Sequence, residues 1–196
     1  MNNLIIKEKE DNISWEEIRS CLIAAHAENF SNGIVMKNPS LPASEIEKKI
    51  KNENGKMYVA MDGDKVIGTA AYGIRRNKVW FCQSEYMNLC FAAILPHYGG
   101  RGIYKALHMY REKERERLNL PLLVFDTHEN NERMIKINER NGFRKVDYKR
   151  CGDHCNVMMA KWVGKCPYSS IYIYYKYWTS YVKVCLKSYL MYFLRK

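Results

Sequence analysis

The chain has 196 residues, of which 47% are hydrophobic and 27% are charged, and this balance excludes both a disordered chain and a membrane bundle. The formal net charge is +11, which suits anionic partners in general and does not choose among a nucleotide, a nucleic acid and an anionic lipid. Seven irregularly spaced cysteines are unlike a disulfide framework, and charges between Lys7 and Asp11 interrupt any secretory apolar region, so we expect a cytoplasmic protein with reduced thiols.

The first quarter of the chain contains two signatures of helix starts. Residues 3–7 are typical of a short strand, and Ser14 followed by Glu17 is a capping box that predicts an amphipathic helix. Ser44 followed by Glu47 repeats the signature and predicts a second helix.

Three strands are predicted next. Residues 56–61 and 65–74 are joined by Asp62-Gly63-Asp64, and Asp-Gly is a strong hairpin signal. Residues 87–95 are nearly all apolar and stop at Pro96, as expected of a central strand covered on both faces.

A change of period predicts a helix over residues 100–118. Ile103, Leu107 and Tyr110 share one side of it, and the charged run 111–117 is expected to face solvent. We interpret that run as a solvated helix face and not as a nucleic-acid contact.

The remaining pattern predicts a strand at 120–125, a helix at 131–141 and two final strands at 143–151 and 155–162. Gly142 stands where a left-handed helix cap belongs. The order β, α, α, β, β, β, α, β, α, β, β indicates a mixed α/β (α+β) layered fold.

The turn from Gly99 to Tyr104 joins the central strand to the following helix. Glycines let the main chain approach an anion closely, and the first N–H groups of a helix point outward with the positive end of the dipole behind them. The turn therefore suits a phosphate, although a glycine-rich loop chosen for its geometry alone would look the same.

Residues 3–163 resemble the GNAT superfamily of acyl-CoA-dependent N-acyltransferases in element order and in two motifs. In segment 96–107, Gly99, Gly102 and Tyr104 occupy the three marked slots of the family's phosphate motif, and only Gly102 matches strictly. The resemblance implies a mostly antiparallel central sheet of about seven strands flanked by about four helices.

The second motif runs from Asn131 to Phe143. It is similar to the family's Asn, Ala, Leu-Tyr, Gly-Phe spacing, with Met134 in place of Ala and Asn138 in place of Tyr. An ordinary amphipathic helix with a glycine cap explains the apolar positions but not an Asn on the apolar face.

The resemblance implies an N-acetyltransferase that moves an acetyl group from acetyl-CoA to a primary amine by direct attack in a ternary complex. No metal is expected. By position, the main chain of Ile94 or a neighbour would donate to the thioester oxygen. The residues implied to hold the cofactor are Ile94, Gly99, Gly100, Arg101, Gly102, Ile103, Tyr104, Lys105, Asn131 and Asn138.

The catalytic assignments are Asn138 and Glu85. Asn138 stands where the family has its general acid; it cannot donate a proton in that way, but its amide suits a hydrogen bond to the cofactor. Glu85, shortly before the central strand, is a candidate for the general base, and the competing interpretation is a solvated carboxylate. His128, just after the fifth strand, is a second candidate, and the competing interpretation is a surface histidine. His97 carries little weight.

The expected division of the chain is an acetyltransferase domain at 1–163 and a basic, aromatic-rich extension at 164–196. The extension holds eight of the fifteen tyrosines and six basic residues with no acid. An apolar stripe at helical spacing comprises Ile171, Tyr175, Trp178, Val182, Cys185, Tyr189 and Phe193. Such a helix fits an anionic membrane surface, and equally fits docking onto the domain or onto a homodimer partner.

Two other functions stay open: a catalytically silent domain that binds acyl-CoA, and a nucleic-acid-binding module. The second is weaker, because only the extension interleaves basic and aromatic residues. We expect no nucleic-acid partner, and the acceptor is a small-molecule or peptide amine whose pocket is shaped by the loop 29–42 and the last hairpin.

Cys151, His154 and Cys155 lack a fourth ligand at zinc spacing, which favours a reduced hairpin.

Overall fold

The computed structural model describes residues 4–34, 40–76 and 79–193. The predicted element order is confirmed, followed by a fifth, C-terminal helix. Residue 3 of the predicted first strand and residues 35–39 of the predicted loop lie outside the described residues. The elements are β1 (Leu4–Glu8), α1 (Trp15–Ser31), α2 (Ala43–Asn52), β2 (Lys56–Asp62), β3 (Lys65–Arg75), β4 (Tyr86–Ile94), α3 (Ile103–Arg117), β5 (Leu122–His128), α4 (Glu132–Arg140), β6 (Arg144–Cys151), β7 (His154–Trp162) and α5 (Ser170–Phe193).

The chain forms two compact units, Met1–Leu120 and Pro121–Lys196. The first contains β1 to β4 with α1 to α3, and the second contains β5 to β7 with α4 and α5. The boundary predicted after residue 163 stays a prediction.

In the first unit the four strands pair in chain order, and every pairing is antiparallel. Asp62 pairs with Lys65 across the two-residue loop Gly63-Asp64, so the predicted hairpin is confirmed. Gly63 has φ +59°, a left-handed conformation that tight hairpin loops require and that glycine adopts without strain.

Both faces of this four-stranded array are covered, because alternate residues of each strand point to opposite sides. Met57, Val59 and Met61 of β2 lie in one apolar cluster with Ile18 and Leu22 of α1. On the opposite side, Tyr58 of β2 contacts Tyr110 of α3 at 5.5 Å between ring centroids. The predicted capping box at Ser14 and Glu17 is present and starts α1.

The second capping prediction was wrong. Helix α2 begins at Ala43, and its N-cap is Pro42 without a side-chain cap. Ser44 therefore lies inside the first turn. Proline at the N-cap fixes the entering chain in an extended conformation, and the helix starts directly after it.

The expectation that residues 111–117 form a solvated face was wrong in part, since Lys113, Glu116 and Arg117 are exposed but three other residues of the run are not. Arg111, Glu114 and Arg115 are buried, because they continue the apolar face of α3 at spacings of three and four residues. Glu114 accepts hydrogen bonds from Tyr72 (3.2 Å) and Arg117 (2.7 Å) and forms an ion pair with Lys56 at 3.3 Å. These partners satisfy a carboxylate that would otherwise be costly to bury.

In the second unit, β7 lies between β5 and β6, and both pairings are antiparallel. Helix α4 ends as predicted: Gly142 has φ +87°, and Phe143 N–H donates to Asn138 O at 3.0 Å while Gly142 N–H donates to Glu139 O at 3.0 Å. This pair of bonds is a Schellman cap. Phe143 then packs on Phe125 of β5, with 5.2 Å between ring centroids.

Candidate functional site

The turn after β4 is built by proline and two left-handed glycines. Pro96–Tyr98 form one 3-10 turn, and Gly100 and Gly102 have φ +76° and +77°. Only glycine adopts these angles without strain. They turn the chain sharply, so that α3 begins at Ile103 directly after the turn.

The main chain of this turn is open to an anion. Within the described part of the chain, the N–H groups of Gly100, Arg101, Gly102 and Ile103 have no intramolecular acceptor. A Cβ built on Gly100 or Gly102 would meet no atom within 4 Å, so the space beside both glycines is clear. The first turn of α3 contains no acidic residue, and the helix dipole adds positive potential. These features fit a pyrophosphate.

Side chains around the turn hold it to the first unit and add positive charge. Tyr98 donates a hydrogen bond to Asp62 Oδ2 at 2.9 Å, and the Arg101 guanidinium lies 5.2 Å from the Tyr98 ring centroid. Tyr104, the bulky residue at the family's small position, packs along α3 against His108, with 6.4 Å between centroids. Its ring volume is therefore directed along the helix surface. Lys105 is exposed on the first turn of α3.

Strand β4 carries a β-bulge that the sequence did not predict. Thr69 pairs with Ala93 and Ala71 with Cys90, so three steps on β4 oppose two steps on β3. Phe91, inside the bulge, has φ +49°, which costs roughly 1 kcal/mol or more for a residue with a side chain. The Thr69 hydroxyl donates to Phe91 O at 2.8 Å and so satisfies a carbonyl that the ladder does not use.

His26 of α1 lies beside the same bulge. Its ring is close enough to the main chain of Ala92 for that carbonyl to act on its pKa, and its Nδ1 lies 3.0 Å from Asn29 Nδ2. Because the Asn29 amide donates to Nδ1, the ring proton is on Nε2. Burial lowers the pKa of His26 from 6.5, and the Ala92 carbonyl opposes this shift only in part. The ring is therefore neutral at pH 7.

Two sequence-predicted site residues lie at opposite ends of β4. Ile94 is the last residue of the strand and pairs with Gly68. Leu95 N–H still donates to Ile67 O at 2.9 Å before the chain enters the turn. Glu85 precedes the first residue of the strand and is exposed, with an ion pair to Arg76. Since a strand rises about 3.3 Å per residue, the structure does not bring Glu85 to the phosphate turn.

In the second unit, Asn131 is the N-cap of α4. Its Oδ1 accepts from Met134 N–H at 3.3 Å and its Nδ2 donates to Thr127 Oγ1 at 3.2 Å. A capping role within the unit thus accounts for Asn131, and its contact with a cofactor stays a prediction.

Asn138 is fully buried on α4. Its Nδ2 donates to Met134 O at 2.9 Å and lies 3.0 Å from Met134 Sδ. A bond to the carbonyl one turn earlier explains how the helix tolerates an amide on its apolar face. Met134 and Asn138, which stand where the family has Ala and Tyr, therefore contact each other. The catalytic role of Asn138 stays a prediction.

The second base candidate, His128, is buried at the end of β5 and stacks on His154 with 5.0 Å between centroids. Burial, followed by the neighbouring His154, lowers its pKa. Its Nδ1 accepts the Asn130 N–H at 3.1 Å. Nδ1 is therefore the unprotonated nitrogen of the neutral ring, the one that would accept a proton in base catalysis, and it is already hydrogen-bonded.

The Cys151 to Cys155 segment forms the predicted hairpin, with Gly152 at φ +66°. Both cysteines are free thiols. Across residues 4–34, 40–76 and 79–193, no group of three or more His, Cys, Asp or Glu side chains could hold a metal ion.

Sequence reasoning missed the residues that shape the bulge, namely His26, Thr69 and Phe91. His26 could have been found from the sequence, because it continues the apolar stripe of Ile18 and Leu22 at a spacing of four. A polar side chain on that buried face requires a hydrogen-bond partner. Nothing in the sequence marked Phe91, since a left-handed residue in a strand is usually glycine.

Comparison with known proteins gives a family and a fold. The model of the acetyltransferase (GNAT) family matches residues 21–143, and no curated protein matches the sequence. A crystal structure of an acetyltransferase from Streptococcus agalactiae is similar at TM-score 0.66 and 18% identity, over 83% of this chain and 100% of that chain.

Two further solved structures show the same fold. One is the ribosomal-protein-S18-alanine N-acetyltransferase from Escherichia coli, with TM-score 0.60 and 17% identity over 85% of this chain and 100% of that chain. The other is the NatC complex bound to Gag peptide and CoA, with TM-score 0.64 and 13% identity over 83% of this chain and 99% of that chain.

Proposed function

Because the chain belongs to the GNAT family of acetyltransferases, we propose that it transfers the acetyl group of acetyl-CoA to a primary amine by direct attack in a ternary complex. The amine nitrogen forms a bond to the acetyl carbonyl carbon, and the carbon–sulfur bond breaks. The CoA thiolate leaves and takes up the proton that the nitrogen loses. Proximity carries much of the rate of such a reaction.

The open main chain of the phosphate turn is the observation that carries this proposal. Four consecutive N–H groups that have no acceptor among the described residues, ahead of a helix start without acids, support pyrophosphate binding. The proposed cofactor residues are Gly99, Gly100, Arg101, Gly102, Ile103, Tyr104 and Lys105 at the turn, Ile94 on β4, and Asn131 and Asn138 on α4. Arg101 and Lys105 contribute charge, and the glycines contribute space.

The bulge of β4 supports a role for the main chain in stabilising the reacting carbonyl. A bulge interrupts the ladder and re-aims main-chain groups, and the proposed oxyanion donor is the N–H of Ile94 or a neighbour. Fixed donors aimed at developing charge lower the barrier because they need no reorganisation during the reaction. In this scheme His26 is a positioning residue, since its buried ring lies beside Ala92 in the bulge.

The leaving group in this scheme does not require a general acid. A thiol with a pKa of about 8.5 leaves readily as a thiolate, so Asn138 is proposed to contact the cofactor and not to protonate it. The sequence-predicted base, Glu85, precedes β4 at the end remote from Ile94 and pairs with Arg76. In this scheme the amine proton therefore passes first to water, and Glu85 receives it only through the solvent.

The acceptor class is a primary amine of a peptide or a small molecule. Two proteins of similar fold support a peptide: one is named as a ribosomal-protein-alanine N-acetyltransferase and another is in complex with a Gag peptide. A panel of peptides with free α-amino groups, polyamines and amino sugars, followed by thiol release from acetyl-CoA, identifies the class.

The binding site is tested by the melting temperature with and without acetyl-CoA. Gly102→Asp and Gly102→Asn place side chains of the same shape at the same left-handed position, but only aspartate repels a pyrophosphate. We expect acetyl-CoA to raise the melting temperature of the wild type, the Asn variant to keep part of that shift and the Asp variant to lose it. Equal shifts in the Asp and Asn variants would reject the turn as the phosphate site.

A catalytically silent acyl-CoA-binding domain is the second candidate, and the observation that favours it is Asn138 at the family's acid position, with its amide bonded to Met134 within α4. Stabilisation by acetyl-CoA without thiol release from any amine of the panel would favour this candidate. Release with any acceptor would exclude it.

A further inference from the structure

Helix α5 packs on β6 through one of its faces. Tyr177 and Tyr181 pack around Tyr148 of β6, with centroid distances of 6.3 and 4.9 Å. Arg144 donates to Ser170 Oγ at 3.0 Å, and Arg150 donates to Ser188 Oγ at 2.7 Å. These contacts fix both ends and the middle of α5 to one strand of its own unit.

The face that packs on β6 is not the apolar stripe predicted from the sequence. Members of that stripe are exposed, including Ile171 at 82%, Trp178 at 42% and Tyr189 at 63% of their surface. We call the aromatic stripe the set of large exposed side chains that recur every three or four residues along α5: Ile171, Tyr175, Trp178, Val182, Leu186 and Tyr189. The side chain of Phe193 lies outside the described part of the chain.

Exposed apolar side chains in a row over five helical turns differ from the scattered ones of an ordinary surface. A contiguous apolar patch of this kind marks a binding surface. Its composition is specific, because tyrosine and tryptophan have an apolar body and a polar edge and are enriched at the interface between membrane and water.

The charges beside the aromatic stripe have one sign. Lys176, Lys183 and Lys187 lie on the flank of α5 between the aromatic stripe and the face on β6, as their helical spacing requires. The segment from residue 165 to the end of the chain contains six basic residues and no acidic residue. On β6, the exposed Arg144 and Arg150 reach α5 and add to the positive charge.

We propose that the aromatic stripe of α5 binds the surface of an anionic lipid bilayer. The helix would lie in the plane of the interface with its tyrosines and Trp178 among the headgroups. Its lysines would extend their long side chains toward the lipid phosphates. The face on β6 is already occupied, so the second unit stays folded while its outer face is bound.

A second copy of this chain fits the stripe less well. A two-fold contact of α5 with itself would place Lys176, Lys183 and Lys187 beside the same lysines of the other copy. No acid on the helix compensates this repulsion, whereas an anionic surface does. Within the residues that the structure describes, no helix is long and apolar enough to cross a membrane.

The test is flotation of the full chain with vesicles of phosphatidylcholine alone or with 30% phosphatidylserine. We expect binding to the anionic vesicles and little binding to the neutral ones, with a blue shift of the tryptophan fluorescence that Trp178→Phe reduces. Lys183→Gln with Lys187→Gln should lower partitioning at least about fivefold, since each basic residue near an anionic surface contributes a factor of that order. High salt should have the same effect.

Leu186→Glu tests the stripe itself, and Met109→Glu is its matched control because Met109 is an exposed apolar residue on α3. We expect the first variant to lose flotation and the second to keep it, with equal melting temperatures. Equal flotation of both variants, or no flotation of the wild type, overturns the proposal. A wild-type dimer in light scattering that Leu186→Glu dissociates also overturns it, in favour of an interface between copies.

Discussion

His26 Nδ1 accepts a hydrogen bond from Asn29 Nδ2 at 3.0 Å, and the main chain of Ala92, in the bulge of β4, acts on the pKa of the same ring. The bond from Asn29 orients the ring and places its proton on Nε2. The bulge therefore has the buried ring of His26 beside Ala92 and the hydrogen bond from the Thr69 hydroxyl to Phe91 O.

Replacement of His26 should affect turnover through the bulge beside which its ring lies. His26→Ala removes the buried ring next to Ala92 and the acceptor of the Asn29 amide, which costs about 1–3 kcal/mol of stability, and lets the bulge relax. We expect kcat to fall roughly tenfold with little change in the KM for acetyl-CoA, because misplaced reacting groups cost rate more than binding. Steady-state kinetics with the acceptor from the amine panel measures both constants.

His26→Gln is the matched variant, because glutamine keeps a polar side chain of similar reach beside Ala92. It should recover most of the kcat lost in His26→Ala. If both variants lose the same activity while their melting temperatures differ, His26 has no positioning role.

The buried imidazole of His26 also predicts a pH dependence of stability. Its folded-state pKa lies below the unfolded value of 6.5 because burial disfavours the charged ring. As the pH falls below about 6.5, the unfolded chain takes up a proton that the folded chain resists, so the free energy of unfolding falls. This contribution is fully present above that pH and is lost on the acidic side, and the lowered pKa of His128 has the same sign.

Urea unfolding at pH 7.5 and 5.5 measures this loss. We expect the wild type to lose more stability between the two pH values than His26→Gln, which cannot titrate. An equal loss in both proteins would mean that other groups carry the pH dependence.

The buried carboxylate of Glu114 is expected to stabilise the first unit. Hydrogen bonds from Arg117, Lys56 and Tyr72 lower its pKa, with Arg117 the largest cause. Glu114→Gln keeps the shape but removes the charge that these partners face. We expect a loss of about 1–3 kcal/mol in chemical denaturation.

Glu116→Gln on the same helix is the control, since the Glu116 side chain is 68% exposed and pairs with Arg115 at 3.1 Å. Exposed pairs contribute little, so this variant should stay within about 0.5 kcal/mol of the wild type. A Glu114 variant as stable as the control would contradict the network.

Asn138→Ala should lower turnover only modestly, by less than about tenfold, because thiolate departure does not depend on an acid at this position. The variant should also lose some stability, since Nδ2 no longer bonds Met134 O. Single-turnover measurement of thiol release separates chemistry from binding. A complete loss of activity in a folded variant would assign Asn138 an essential chemical role.

Much of the fold was predictable because it depends on local patterns. Ser14 with Glu17, the Asp62-Gly63 loop and Gly142 with Phe143 each specify a backbone conformation through their own side chains, and all three are present. Ser44 failed because the same pattern recurs inside a helix that Pro42 already starts.

Of the candidate site, only the glycine turn, where the main chain would bind the cofactor, could be predicted from the sequence. The glycines at 100 and 102 have the left-handed conformation that their identity favours, so the turn was found. His26, Thr69 and Phe91 belong to α1, β3 and β4. They come together at the bulge only because β3 pairs with β4 and α1 packs on both strands.

The sequence alone determined the element order, the glycine turn at 99–104 and the amphipathic, basic nature of the last helix, because each follows from residues close together in the chain. Tertiary structure alone decided which side of each element is buried. It placed Arg111, Glu114 and Arg115 inside although they are charged. It also packed Tyr177 and Tyr181 on β6 and left the aromatic stripe of α5 exposed. The physical reason is that periodicity defines the faces of a helix, whereas the partners available from distant segments decide which face is covered.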